Sequence, residues 1–358
     1  MLKNKIDTIK TFYYKKAKPF LVQYLSVVQS GLFDYFYYLK NYGKNLTLFE
    51  KIFPIAHYML KGWKLKFNPS KIFNGVEYQK SYPETAQTCP LTHFLRYGTS
   101  HYYCIAQKNP YPINQKQIEK YLEQKQKRKS KKVIYTCITN DYDSLEEIAC
   151  YKYVNKDWDY ICFTDNETYI NKKQIGIWKV RPLVFNELDN TKNNRYHKIN
   201  PHIVLPEYEE SIYIDGNLNI LSSYIFKEIK RRKLNLLLPK HLTNNCIFKE
   251  YIWAYLNNID RRDLIRKGWK VIKKSGMPRG YGMWECNLIY RKHNKPEIIE
   301  IMKEWWNFVK TYAKRDQLSF SYLMWENGIK IEDNSIPNTR TLIKDFCVFP
   351  HKKAYEKP

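Results

Sequence analysis

The sequence predicts an α/β fold preceded by a small helical repeat domain, and three features carry that reading. Apolar strand-like runs at Val133 to Ile138 and Tyr160 to Phe163 each end in a polar turn, Thr139-Asn140-Asp141-Tyr142 and Thr164-Asp165-Asn166. A third strand, within Ser211 to Ile220, ends on the acidic turn Asp215-Gly216-Asn217. Helical spacing follows further on: Pro296 to Tyr312 places Ile298, Ile301, Met302, Trp305 and Trp306 toward a core, which assigns the two tryptophans to packing and not to a sugar platform. Strands that alternate with helices build a sheet whose carboxyl edge binds ligands, so the turns hold the chemistry.

Ahead of this part the chain repeats itself. Leu32-Phe33-Asp34 with Tyr38 and Tyr42 recurs as Ile72-Phe73-Asn74 with Tyr78 and Tyr82, and Pro54-Ile55-Ala56-His57 with Gly62 recurs as Pro90-Leu91-Thr92-His93 with Gly98. Aromatic residues at helical spacing, closed by glycine, read as two stacked helical units at about 32–66 and 72–106 within a region 1–113. His57 and His93 suit either ligation or packing; a repeat reuses them for packing, and no carboxylate or thiol stands at ligand spacing. Asn114 to Lys132 is polar and ends in a lysine-rich run, and it reads as a basic linker or as a segment drawn to a membrane surface. The α/β domain then occupies 133–358.

The 358 residues suffice for two domains, each with its own core. A net charge of +26 suits a solvated lysine-rich surface, and equally attraction to anionic lipid, a diphosphate or an acidic glycan. No zinc-finger, basic-zipper or RNA-recognition signature accompanies it, so nucleic acid is not an expected partner. Cys89, Cys104, Cys137, Cys150, Cys162, Cys246, Cys286 and Cys347 form no Cys-x-x-Cys pair. Lys3, Lys5, Asp7 and Lys10 precede no cleavable apolar core, and no run reaches the roughly 18 apolar residues of a membrane helix. The expected setting is therefore reducing and cytoplasmic, with any membrane contact peripheral, at the inner face.

Asp215 and Asn217 present two oxygen-bearing side chains one residue apart at a strand end. Mg²⁺ and Mn²⁺ take oxygen ligands and are held by one or two carboxylates with substrate phosphates completing the sphere. Asp-Gly-Asn is also ordinary hairpin chemistry. Lys192 to Pro206 reads as a helix that brings Arg195 and Lys198 near the same edge. A glycine-rich approach carrying Glu285 and Asn287 follows, and then a helix opened by Arg315-Asp316-Gln317. There Asp316 has an ordinary role as N-cap, worth about 1 kcal/mol.

From about Lys131 to the end the chain resembles a glycosyltransferase-like family of the GT-A type, long known as a domain of unknown function, with members in bacterial surface-polysaccharide clusters and plant mucilage-related proteins. The residues that carry the resemblance are Ile134 to Thr136, Asp141 to Asp143, Trp158 to Asp165, Asn194 to His202, Tyr213 to Asn217, Lys240-His241, Gly276 to Pro278, Gly282, Glu285, Arg291 to Asn294 and Arg315 to Phe320. The repeats resemble short helical repeats that precede catalytic domains in bacterial surface-polysaccharide glycosyltransferases. This resemblance implies sugar transfer from a nucleotide-diphosphate donor, a UDP-sugar first, to a surface glycan or lipid-linked acceptor, with Mn²⁺ or Mg²⁺ as cofactor. It implies donor contacts at Thr136, Asn140, Asp165, Arg195, Lys198, Asp215, His241, Asn287 and Gln317. The metal falls to Asp215 and Asn217, with His351 as a third ligand by likeness to a C-terminal histidine in one related transferase group; His351 also reads as a surface residue. An Asn in place of a second carboxylate weakens the metal site. Asp316 and Glu285 are the carboxylates that would bind sugar hydroxyls or deprotonate the acceptor.

Two other classes remain in view at this level. A haloacid-dehalogenase-type phosphotransferase also uses an acidic strand end, but its nucleophile lies near the start of the domain, and Asp215 lies mid-domain. A non-catalytic glycan-assembly scaffold with a degenerate transferase domain matches the single strong metal carboxylate.

Overall fold

A computed structural model of the chain describes residues 13–112, 114–127, 130–148 and 152–353, so Cys150 and the charged residues ahead of Tyr13 lie outside it. The chain divides into two compact units, Met1–Tyr111 and Pro112–Pro358.

The first unit contains helices α1 (Lys18–Ser30), α2 (Tyr35–Tyr42), α3 (Leu48–Ile52) and α4 (Gly75–Ser81), with short helical turns at Pro54–His57 and Pro90–His93. The two copies of the repeat use the same contacts. Asp34 and Asn74 cap α2 and α4 by accepting from backbone N–H groups at 2.9 and 3.1 Å. Tyr38 and Tyr78 then reach His57 Nδ1 and His93 Nδ1 at 2.9 and 3.1 Å, while Tyr42 stacks on Phe67 and Tyr82 on Tyr103 at 4.0 and 3.8 Å. A side chain at Gly62 would collide with the Tyr38 hydroxyl, and one at Gly98 would lie 2.9 Å from the Tyr78 hydroxyl, so the closing glycines clear space for the tyrosines. His57 and His93 are packing residues.

The segment read as a linker forms helix α5 (Gln115–Lys127), which belongs to the second unit. Its few apolar residues decide this: Ile118 and Tyr121 are buried, the Tyr121 hydroxyl donates to Trp158 O at 3.1 Å, and Lys125 pairs with Asp159 at 2.7 Å.

Among the described residues the main sheet of this unit has eight strands: β1 (Lys132–Ile138), β2 (Asp159–Thr164), β3 (Gln174–Ile175), β4 (Trp178–Pro182), β5 (Glu210–Ile214), β7 (Leu236–Pro239), β8 (Leu288–Arg291) and β9 (Ser335–Ile336), in the order β3-β4-β2-β1-β5-β8-β7-β9. Strands β4, β2, β1 and β5 run parallel, and β8 returns antiparallel against β5 and β7. Strand β6 (Leu218–Ile220) leaves the sheet after the Asp215 turn and pairs antiparallel with β10 (Phe346–Val348). Because the chain crosses to opposite sides of β1 to reach β2 and β5, the crevice at their carboxyl ends is a topological switch point.

Helices α6 (Asn190–Ile199), α7 (Ile247–Leu256), α8 (Arg262–Ser275), α9 (Pro296–Thr311) and α10 (Gln317–Glu326) cover the sheet. Trp305, Met302 and Ile301 of α9 are buried in one core with Tyr135, Tyr213 and Ile289 of the strands, and Trp306 packs half-buried on its edge. The helix expected over Lys192 to Pro206 is interrupted at Asn200, where Pro201 disfavours helical geometry in the residue before it.

Candidate active site

The sequence fixes the crevice by ending β5 on Asp215. Asp215 N donates to Asn287 O at 2.9 Å, and Leu218 N closes the turn on Asp215 O at 3.0 Å. The turn is no hairpin, since β5 and β6 enter different sheets. Its glycine is required by a close approach: a Cβ at Gly216 would stand 2.8 Å from an oxygen of Asp143.

Helix α6, capped by Asp189, delivers the cations. The Lys198 ammonium is buried over the ring of Tyr213, 2.6 Å from Asp316 and 3.3 Å from Asp215. Arg195 lies one turn earlier, with Nε 3.4 Å from Asp316. Burial alone would raise the Asp316 pKa, but the charges of Arg195 and Lys198 outweigh it and hold that carboxyl far below the ordinary value. Asp316 does cap α10, accepting from Gln317 N at 3.0 Å, yet its principal partner is the buried ammonium 118 residues away in sequence. Both cations face this carboxylate, so it serves as their shared counter-charge.

The position of Lys198 is secured from behind by Arg291, quoted above only within a motif. Arg291 is fully buried and donates to Lys198 O at 2.8 Å and to Ile199 O at 3.4 Å, satisfying carbonyls at the end of α6.

A second cluster sits on the other side of the turn. Pairing of β10 with β6 returns the C-terminal segment to the switch point, where Phe349 N donates to Asn217 O at 3.1 Å. Asn217 Nδ2 donates to Phe349 O at 2.6 Å and faces His351 Nε2 at 3.4 Å. The opposite nitrogen of His351 lies 2.9 Å from Asp143. Asp143, quoted above only within a motif, thus orients the imidazole so that Nε2 faces the Asn217 amide of the acidic turn.

Glu285 is buried on the β8 side, receiving the amides of Asn287 (3.0 Å) and Asn338. The Asn287 oxygen is buried without a partner. His241 is screened by Glu250 and accepts from Asn244 N at 3.0 Å; burial lowers its pKa, against the raising influence of Glu250 and Glu285. Glu250 in turn holds Arg315 at 2.6 Å, and Arg315 bonds Gln317 at 2.7 Å, so His241 and Gln317 belong to one network.

Two expected donor contacts fall differently. Thr136 is fully buried within β1, its hydroxyl without a hydrogen-bond partner. Asp165 spends both oxygens on Asn140 N at 3.0 Å, where it ties the end of β2 to a turn in which Asn140 and Asp141 both take left-handed backbone. Lys353 completes that corner by donating to Asn140 O at 2.6 Å.

A mostly parallel sheet whose switch point gathers a buried lysine, a partly buried arginine, carboxylates and an oriented imidazole defines an α/β fold with a charged crevice where such folds bind ligands. Residues 99–338 match the family model described as TOD1/MUCI70, glycosyltransferase-like domain, and the chain belongs to that family. It is a transferase of the glycosyltransferase-like kind. No curated protein matches the sequence. Among solved structures, mouse xyloside xylosyltransferase 1 aligns at 9% identity over 57% of this chain and 83% of its own, with a TM-score of 0.35. GlyE of Streptococcus pneumoniae TIGR4 aligns at 10% identity over 59% of this chain with a TM-score of 0.34, and the match spans 45% of GlyE. The galactosyltransferase LgtC in complex with donor and acceptor sugar analogues aligns at 11% identity over 57% of this chain and 72% of its own, with a TM-score of 0.33. All three are GT-A glycosyltransferases. The match to the bifunctional glycosyltransferase WbbM spans 39% of that protein.

Proposed function

We propose that the second unit transfers a sugar from a nucleotide-diphosphate donor, a UDP-sugar first, to a surface glycan or lipid-linked acceptor, working in the cytoplasm at the inner membrane face. The observation that carries this reading is the charge balance of the switch point. Lys198 and Arg195 are matched by Asp215 and Asp316, so these four side chains sum to zero. A diphosphate brings two negative charges to that edge and needs two positive ones with it. A divalent cation supplies them, which supports Mn²⁺ or Mg²⁺ as cofactor.

The donor set accepts such an ion on one condition. Asp215, the oxygen of Asn217 and Nε2 of His351 would hold it, with Asp143 behind the imidazole. Among the described residues no three His, Cys, Asp or Glu side chains form a ready metal centre, so the ion binds together with the diphosphate. When bound, it neutralises the departing diphosphate. Lys198 and Arg195, fixed by Asp316, hold their charges in place without reorganisation, which is how preorganised charge lowers a barrier. Glu285, held by the amides of Asn287 and Asn338 with the Arg340 guanidinium 3.9 Å away, is the carboxylate we assign to a sugar hydroxyl or the acceptor proton.

Calorimetry with UDP and Mn²⁺ tests this: each alone binds weakly and together they bind tightly. Equal Mn²⁺ affinity with and without nucleotide would refute it, and absence of any metal-linked binding would return the chain to the scaffold reading. Donor hydrolysis belongs to the second unit alone, so a chain beginning at Pro112 retains it, whereas one beginning at Lys131 loses α5 and its buried contacts. The seven described cysteines, all free thiols, agree with a reducing compartment. Among the described residues no helix is long and apolar enough to cross a membrane, so attachment at an anionic membrane face would be peripheral.

A further inference from the structure

We infer that the helical unit docks on an anionic lipid bilayer through the apolar side formed by α2 and α3. Phe36, Leu48, Phe49 and Ile52 are 82%, 77%, 69% and 58% exposed. Leu48, Phe49 and Ile52 fall on one side of α3 by helical spacing. Phe36 joins them because the Tyr35 hydroxyl donates to Lys51 O at 3.1 Å, pinning the start of α2 to α3, and the rings of Tyr35 and Phe36 meet at 5.7 Å. Nothing about α3 itself requires these residues to be apolar, since the helix is already fixed by a capping box in which Thr47 and Glu50 serve each other's backbone at 3.0 and 3.3 Å.

Charge selects the occupant. Residues 1–111 hold 16 Lys and Arg against 5 Asp and Glu, a net +11. Two of those acids are spent locally, Glu50 on Lys61 at 2.9 Å and Asp34 on the cap of α2. Lys40, Lys44 and Lys51 stand exposed on the same helical pair and the turn between them. Aromatic and aliphatic side chains surrounded by lysines match the boundary between headgroups and acyl chains of an anionic leaflet. A protein partner would leave a core patch depleted in charge without a reason for an excess of one sign around it. The inference rests on the membrane-face reading above and names the surface that meets the bilayer.

The test is flotation of the full-length protein with vesicles of phosphatidylglycerol and phosphatidylcholine in equal parts, against phosphatidylcholine alone. The wild type is expected to float with the anionic vesicles only, and the variant carrying Phe36→Ser, Leu48→Ser, Phe49→Ser and Ile52→Ser to bind them about tenfold more weakly or less still. Its melting temperature and its Mn²⁺-linked UDP binding stay unchanged, because these side chains are outside the core and the site. A variant that floats like the wild type, or a wild type that floats with neither vesicle, overturns the inference. So does a light-scattering mass showing that the four residues hold two copies of the chain together. Loss of Mn²⁺-linked UDP binding in both proteins refutes the proposed transferase chemistry and leaves the vesicle result standing.

Discussion

The two carboxylates flanking Lys198 are chemically the same and are used in opposite ways. Asp316 is buried, ionised and committed to two cations; Asp215 lies on a half-exposed turn, shares the same ammonium at a longer distance and keeps oxygen free for a ligand. The sequence offers Asp316 as a catalytic carboxylate and Asp215 as a metal and donor ligand, and the structure separates them by what faces each.

Removing the buried anion is the most severe way to break that contrast. Asp316→Asn keeps the capping acceptor but leaves Lys198 buried with one distant partner, so urea unfolding is expected to show a loss of about 3–5 kcal/mol. The double variant with Lys198→Met recovers much of it. An Asp316→Asn protein as stable as the wild type would place this carboxylate back beside Glu285 as a catalytic candidate.

Acid attacks the same unit through two buried histidines, His197 and His293. His197 donates from Nδ1 to Asn193 O and accepts from Val184 N at Nε2, so a second ring proton would oppose Val184 N–H. Burial lowers the pKa of His197 and of His293 from 6.5 to about 4. The unfolded chain takes up those protons first, so stability is complete above pH 6.5 and is lost as pH falls toward 4. Stability measured at pH 5 should lie about 2 kcal/mol per histidine below that at pH 7. A flat profile over this range would show that the rings are hydrated.

Smaller effects belong to the open corner. Gly216→Ala drives a methyl against Asp143, for an expected cost of about 1–3 kcal/mol and a visible loss of Mn²⁺-linked nucleotide binding. Asp215→Asn leaves Lys198 its closer partner, so unfolding shifts by roughly 1 kcal/mol or less while Mn²⁺-linked binding of UDP disappears. Retention of that binding would sharpen the contrast the other way, by showing that the turn serves only the chain.

Much of this contrast was invisible in the sequence for a physical reason. Strands β1, β2 and β5 announce themselves as apolar runs, and the turns that follow them locate the crevice. Arg195, Lys198 and Asp215 were readable because one helix and one strand bring them together. The pairing of Lys198 with Asp316, of Asp143 with His351 and of Arg291 with the end of α6 joins segments that no local pattern connects. Helix α5 was read as a linker because its lysines and glutamines outnumber the two apolar residues that dock it. Thr136 stands within a motif, and only the structure shows that it is fully buried.

The return of β10 to β6 has a kinetic side. The contact between His351 and Asp143 spans 208 residues, and that between Lys353 and Asn140 spans 213. Contacts of such long range close late, after the entropy of the intervening loop has been overcome. On the ribosome, β1, β2 and β5 can be complete while the imidazole that finishes their shared edge is still in the exit tunnel. The acidic turn therefore acquires its histidine only after residue 351 emerges.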